Sequence, residues 1–332
     1  MRLCKKWAAP VFLCFLLGVP VSGYAVSCTT QAELSPQDRE ALGSVGQRLA
    51  GAMVQQDLTA LQAALLPAVA PQWDGIRTVV EQSEPLMKGG QVQLRSLYLL
   101  DATSLTAAAD SQFFCSNANG SLTVTISMRE LPPGRYALVL ADTAGAQLAG
   151  QVAFILGWDK TGTAPAWRLG GVFIRPGMLD GHDGIWYWER AREMAKANSS
   201  WSAWFCYETA RYLLVPVDFL SSPNLEKLGQ EQVQVKNSPA EAFPYSLPDG
   251  ARTWKIDSVR LDTSLRQADL GVTYESTGVT DPAAMRTEAV AVLSAFLKAQ
   301  PTLRQGFHGL WAYASKDGKV SPVMELPMAQ IP

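Results

Sequence analysis

The sequence holds two histidines, His182 and His308, and imidazole is the side chain best suited to proton transfer near neutral pH. His182 stands beside an aspartate in "GHDGIWYWERAR". A His–Asp pair could serve a nucleophile or a polarised water. Side chains of adjacent residues diverge, however, so Asp183 is poorly placed to orient that ring. The glycines at 177, 181 and 184 describe a turn, and Asp183 can cap the helix that follows. His308, in "QGFHGLW", reads as a polar residue between a loop and a strand. His182, Asp183 and His308 are the catalytic candidates, and each has a structural role that needs no chemistry. No G-x-S-x-G elbow, G-x-G-x-x-G, P-loop or HExxH stands in the chain. No CxxC or Cys/His ligand spacing occurs either, so the expectation is no metal and no cofactor. Cys206, among Trp and Tyr, reads as a buried inert thiol.

The aromatics are more informative. Trp186, Tyr187, Trp188, Trp201, Trp204, Phe205, Tyr207 and Tyr212 fall within 27 residues. At 100° per residue they cannot all face one core. One reading is packing between domains; the other is an exposed platform for a protein or glycan. Trp186, Trp188, Trp201, Trp204, Tyr207 and Arg211 are the binding candidates, with Arg190 and Arg192 beside Arg211 as polar rim.

The amino terminus, "MRLCKKWAAPVFLCFLLGVPVSGYAVSC", has basic residues, an apolar run and then Gly23-Tyr24-Ala25. That is the pattern of a secretory signal over residues 1–25. The alternative is a signal of 1–27 with Cys28 lipidated, since "AVSC" resembles a bacterial lipobox. After either cleavage Cys28, Cys115 and Cys206 remain, too few for a disulfide scaffold. A lipidated Cys28 leaves Cys115 and Cys206; otherwise one pair and a spare thiol fit. The formal net charge of −2 becomes −5 once Arg2, Lys5 and Lys6 leave. No basic block survives, which argues against nucleic acid and against anionic lipid except through an anchor.

The elements that must position these residues fall into three segments. In the first, residues 33–176, Ser35 caps a helix carrying Leu42, Val45, Leu49 and Met53 at helical spacing. Asp57 caps a second helix, and a third runs from Pro71 to Pro85. The period then changes to that of strands in "QVQLRSLYLLD", "SLTVTISM", "GRYALVLAD" and "GQVAFILGW". The acids Asp101, Asp142 and Asp159 stand at strand ends as turn residues. Three helices followed by a curved antiparallel sheet ending in "WRLGGVFIRP" resemble the NTF2-like (cystatin-like cone) superfamily. That resemblance implies a cone-shaped pocket between sheet and long helix; some members are isomerases or dehydratases, and many only bind or dimerise. The strands offer no histidine for such chemistry.

Residues 181–229 give two helices that resemble one tetratricopeptide-type hairpin, whose faces must pack on neighbours or await a partner. Residues 230–250, rich in Pro, Ser, Asn and Gln, read as a linker. In residues 251–332, "TWKIDSVRLD" and "QADLGVTYES" are strands and Asp281 caps a long helix. A hairpin turns at Lys316-Asp317-Gly318, completing a ββαββ unit. The expected class is therefore α+β. The expected function is a non-catalytic protein-binding or scaffolding module, exported to the bacterial periplasm or cell envelope, with an envelope protein or glycan as partner. The alternative is a small apolar, lipid-like ligand in the NTF2-like pocket. A hydrolase or isomerase comes third.

Overall fold

Ser35 starts the first helix as its sequence demands: its hydroxyl accepts the Asp38 N–H at 3.0 Å, with Pro36 in the first turn. The computed structural model describes residues 26–120 and 123–332; the signal expected over residues 1–25 lies outside them. The chain is a mixed α+β protein. β1 (Ser27–Thr30) precedes four helices, α1 (Pro36–Gln55), α2 (Leu58–Ala63), α3 (Trp73–Gln82) and α4 (Glu84–Met87). Asp57 caps α2 through the Ala60 N–H at 2.9 Å. Then come β2 (Gln91–Asp101), β3 (Ala109–Ser116), β4 (Thr123–Leu131), β5 (Arg135–Ala144), β6 (Gly150–Asp159) and β7 (Ala166–Pro176).

These strands form two sheets, where the sequence reading has one. Strands β1-β2-β5-β6-β7 make an antiparallel five-stranded sheet. Its helix side carries Ala137, Val139, Val152, Phe154 and Leu156 against Leu42, Leu49, Met53 and Leu61. On its other side Leu138, Leu140, Ala153 and Ile155 pack against Phe113 and Ile126 of a second sheet, β3 with β4. A strand buried on both faces must be apolar at every position, which is why "YALVLA" and "VAFIL" run without alternation. β4 has only one face against the larger sheet, and it alternates: Val124 and Ile126 are buried while Thr123 and Thr125 are half-buried. Cys28 of β1 and Cys115 of β3 form a disulfide between the two sheets. A lipid thioether would need the same Cys28 sulfur, so the disulfide and lipidation are alternative fates of that atom.

The chain then makes a two-strand ribbon, β8 (Met178–Leu179) and β9 (His182–Asp183), and the helices α5 (Gly184–Lys196) and α6 (Ser200–Leu214). It returns to the first unit as β10 (Leu220–Ser221), which pairs with β4. α7 (Pro223–Val233) and β11 (Tyr245–Asp249) follow. β11 joins β12 (Arg252–Asp262), β13 (Asp269–Glu275), β14 (Gly309–Lys316) and β15 (Lys319–Pro327) in a five-stranded sheet. α8 (Pro282–Ala299) makes the crossover between the parallel neighbours β13 and β14.

The segment read as a linker is therefore structured. The end of α7, a 3₁₀ turn (Pro239–Glu241) and β11 all fall in residues 230–250, and Leu247 is buried in the sheet. Its polar composition suits an edge strand, where only alternate residues need cover. Nor does the helical hairpin stand by itself. Residues of α5, α6 and α7 share one core with α8 and the five-stranded sheet. Among the described residues no helix is long and apolar enough to cross a membrane.

Candidate functional site

The ribbon β8–β9 turns at Asp180 and Gly181, both with positive φ (50° and 78°), the pairing that a tight two-residue hairpin needs. It delivers Asp183 to the start of α5, where the carboxylate accepts the Trp186 N–H at 2.8 Å. The ring of His182 stacks on Trp186, 3.7 Å between centroids and 8° between planes. The two residues thus point to different partners, and the structure does not join them into a catalytic pair. Two of the three acids read at strand ends make turns: Asp101 accepts from the N–H and hydroxyl of Thr103, and Asp159 from those of Thr161; Asp142 instead lies within β5, paired with Arg95 at 3.1 Å.

Most of the aromatic cluster is interior. Trp188, Trp201 and Tyr207 are buried, which corrects their reading as contact residues. Trp201 sits in a cage of Phe243, Tyr245 and Phe296, with centroids 5.3–5.8 Å away. Trp188 donates its indole N–H to Glu231 of α7 at 2.7 Å, and Arg192 holds the same carboxylate at 2.7 and 2.9 Å. Arg192 also lies over the Trp188 ring at 4.4 Å. Those hydrogen bonds hold the Glu231 carboxyl below its ordinary pKa, Arg192 contributing most. Arg190 is similarly engaged, with Glu193 and Gln305. The physical reason is coverage: α8 spans only part of the sheet's apolar side, and the hairpin supplies the rest of the layer. Cys206 lies in this core as a free thiol, and burial pushes its pKa up to about 12, consistent with an inert sulfur.

Trp204 and Arg211 behave differently. With Glu208 and Tyr212 they form a stripe on α6 at the i, i+4, i+7, i+8 spacing that keeps residues on one helical face. This stripe lines a cleft of about 670 Å³ where the two halves of the molecule meet. Arg175 at the end of β7 and Asp218 just before β10 close one side; Phe243, Val259, Leu261 and Thr263 close the other. Arg175 is tied down by the Val215 carbonyl at 2.9 Å and Asp218 at 2.7 Å, and its guanidinium lies over Tyr212 at 5.6 Å. Arg211 is exposed and, among the described residues, its guanidinium has neither a hydrogen bond nor an ion pair. Burial raises the Glu208 carboxyl pKa, partly opposed by a hydrogen bond from the Leu261 backbone N–H. The cleft thus offers an aromatic wall, one uncommitted guanidinium and one carboxyl whose pKa burial raises.

Where the NTF2-like resemblance implies a cone-shaped pocket, buried apolar side chains pack together. Leu42, Leu49, Met53 and Leu61 occupy the space between α1 and the sheet. A groove of about 860 Å³, with Ile155, Phe173 and Phe219 on its walls, lies on the opposite side of that sheet, between the two sheets.

His308 has company that no local spacing announces. Its Nδ1 lies 3.0 Å from Asp269 Oδ1 and 3.8 Å from Glu325 Oε1. Burial raises the pKa of Asp269, with His308 opposing; burial and then the charge of Asp269 raise that of Glu325. The ring meets carboxylates rather than a hydroxyl or thiol, so its surroundings are not those of a nucleophile's base. These three side chains could hold a metal ion.

No family model, curated protein or solved structure matches this chain. The functional reading therefore rests on the geometry just described. The sequence reading included Trp204 and Arg211 but missed Glu208, Tyr212 and Arg175. The stripe through 204, 208, 211 and 212 was visible as periodicity; the approach of Arg175 was not.

Proposed function

We propose that this chain is an exported, non-catalytic binding protein that holds a small amphiphilic ligand with one anionic group in the cleft beside α6. One observation carries the reading: the stripe Trp204–Glu208–Arg211–Tyr212 faces a cleft walled by both halves of the molecule. Sites of this kind join mostly apolar walls to a few polar groups that fix orientation, and they favour the meeting of domains. Trp204, Tyr212 and Phe243 would take the apolar or aromatic part of the ligand. Arg211 would pair with its carboxylate or phosphate, and Glu208 stands beside it on the same stripe of α6. Export belongs to the proposal through the leader pattern, and the periplasm is the expected compartment. The NTF2-like relationship of residues 33–176, the tetratricopeptide-like relationship of residues 181–229 and a ββαββ unit in residues 251–332 remain part of it as resemblances in element order.

The test is native mass spectrometry of the mature protein purified gently from its own envelope, with Arg211→Glu alongside. The proposal expects a non-covalent adduct of a few hundred daltons on the wild type, released by mild organic solvent and missing from the variant. A bare polypeptide mass, together with no saturable change in tryptophan emission across a panel of long-chain and aromatic carboxylates and phosphates, would overturn it.

A further inference from the structure

The start of β13, the residue before β14 and the later part of β15 bring Asp269, His308 and Glu325 to one place. Sheet register explains the meeting. β13 and β14 run parallel with Leu270 beside Leu310, so Asp269 enters the sheet next to His308 and Gly309. Glu325 stands opposite Trp311 in the antiparallel pair β14–β15. Side chains two residues apart share a face, so Glu325, reaching along its strand, shares the side of the sheet used by Gly309 and Trp311. Gly309 leaves the room: a Cβ there would strike Glu325 Oε1 and approach Asp269 Oδ1 to 3.1 Å.

One carboxylate and one imidazole nitrogen, with a second carboxylate beyond, would be ordinary if each oxygen had a donor. They do not. Asp269 has a fully buried side chain, and its Oδ2 has no hydrogen-bond partner among the described residues. Glu325 Oε1 is also buried and without a donor. Buried carboxylate oxygens without donors are costly unless a proton or a cation stands between them.

We propose that Asp269, His308 and Glu325 form a binding site for a divalent transition-metal ion of the zinc class. One imidazole nitrogen and two carboxylate oxygens form a donor set suited to Zn²⁺, Mn²⁺ or Fe²⁺. The spacing fits as well as the chemistry. Bonds of about 2.0–2.1 Å in tetrahedral geometry place neighbouring ligand atoms roughly 3.3 Å apart. The separations from His308 Nδ1 are 3.0 and 3.8 Å, and all three donor atoms lie within 4.8 Å of one another. On binding, Nδ1 gives its lone pair to the ion and the ring proton resides on Nε2. Asp269 becomes a ligand in place of a hydrogen-bond partner. His308 is 30% exposed, so a fourth position opens towards solvent. The ion would tie β13, the approach to β14 and β15 together at one end of these strands. This site is separate from the α6 cleft, and neither depends on the other.

The experiment uses the mature chain carrying a tag free of histidine, stripped with a chelator and titrated with Zn²⁺, then with Co²⁺. The expected result is saturable uptake of one equivalent of Zn²⁺, and visible Co²⁺ absorption bands of a four- or five-coordinate site that Zn²⁺ displaces. His308→Gln and Glu325→Gln should each weaken Zn²⁺ binding by at least on the order of 10–100-fold, the loss that even an outer partner of a ligand produces. Far-UV circular dichroism shows whether each variant is folded; Glu325 is partly exposed, so its variant is the decisive one should Asp269→Asn fail to fold. No stoichiometric uptake by the wild type would overturn the proposal, and so would uptake undiminished in both glutamine variants. In the first case a shared proton occupies the gap, and Glu325→Gln should stabilise the protein.

Discussion

Two tryptophans three residues apart on α6 should respond to truncation in opposite ways. Trp201 is only 8% exposed and touches aromatic rings from α8, β11 and the segment before it. A buried tryptophan removes about 200 Å² from water, worth about 5 kcal/mol at ~25 cal/mol per Å². Residual compactness of the unfolded chain lowers that to about 3–4.5 kcal/mol. Truncation to alanine would also leave a closed cavity, so Trp201→Ala should cost about 3–5 kcal/mol. Trp204 is half-buried and lines the cleft. Removing it enlarges a space already open to water and creates no closed void, so Trp204→Ala should cost roughly half as much, about 2 kcal/mol. The assay is urea unfolding followed by far-UV circular dichroism, comparing midpoints at unchanged m-value. Native mass spectrometry on the same samples reads the adduct. Trp201→Ala should lose stability and keep its ligand under native conditions; Trp204→Ala should lose the ligand. A Trp201 variant within 1 kcal/mol of wild type, or a Trp204 variant as costly as the Trp201 one, would refute this assignment of faces.

The other predictions concern how the fold is held. The Cys28–Cys115 bond closes a loop with a sequence separation of 87, which corresponds to about 4–5 kcal/mol of chain entropy; Cys28→Ser and Cys115→Ser should each lose that much, and the double variant no more, in urea unfolding without reductant. Hydrogen bonds from Arg192 and Trp188 depress the Glu231 pKa, so its contribution is complete above the ordinary glutamate value of about 4.3 and is lost as pH falls through the lower folded value. The stability gap between wild type and Glu231→Gln should therefore be constant near neutrality and close under acid, as read by thermal midpoints across pH; a gap independent of pH would refute it. An alanine Cβ at Gly184 would stand 2.5 Å from Leu214 Cγ and 3.1 Å from the Ala210 carbonyl. Gly184→Ala should then cost about 1–3 kcal/mol through overpacking, while Asp183→Ala should cost about 1 kcal/mol as a lost cap, both measured by denaturant midpoint.

Local chemistry was legible in the chain. Ser35, Asp57, Asp183 and Asp281 each announce a helix start because a short acceptor side chain meets exposed N–H groups within its own turn, and all four do so. The turn at Asp317-Gly318 and the strand at "QVQLRSLYLLD" needed only neighbouring residues. The continuous apolar runs of β5 and β6 against the alternation of β4 also foretold which strands have two buried faces, although that contrast becomes meaningful only once a second sheet is known to exist.

What the tertiary structure decided is pairing across long separations. Whether Trp201 or Trp204 faces the core depends on α8 and β11 arriving from far along the chain. Cys28 finds Cys115 because β1 and β3 meet across two sheets, and nothing near either cysteine encodes that choice. Residues 230–250 carry too few apolar side chains to look folded, yet an edge strand needs only alternate positions buried and takes its hydrogen bonds from a neighbour already in place. The same holds for His308. Its immediate sequence marks a loop, and the carboxylates that give it a chemical environment arrive from β13 and β15 because sheet register, set by the burial of Leu270 and Leu310 and the packing of Leu326 on the opposite face, leaves them nowhere else to be.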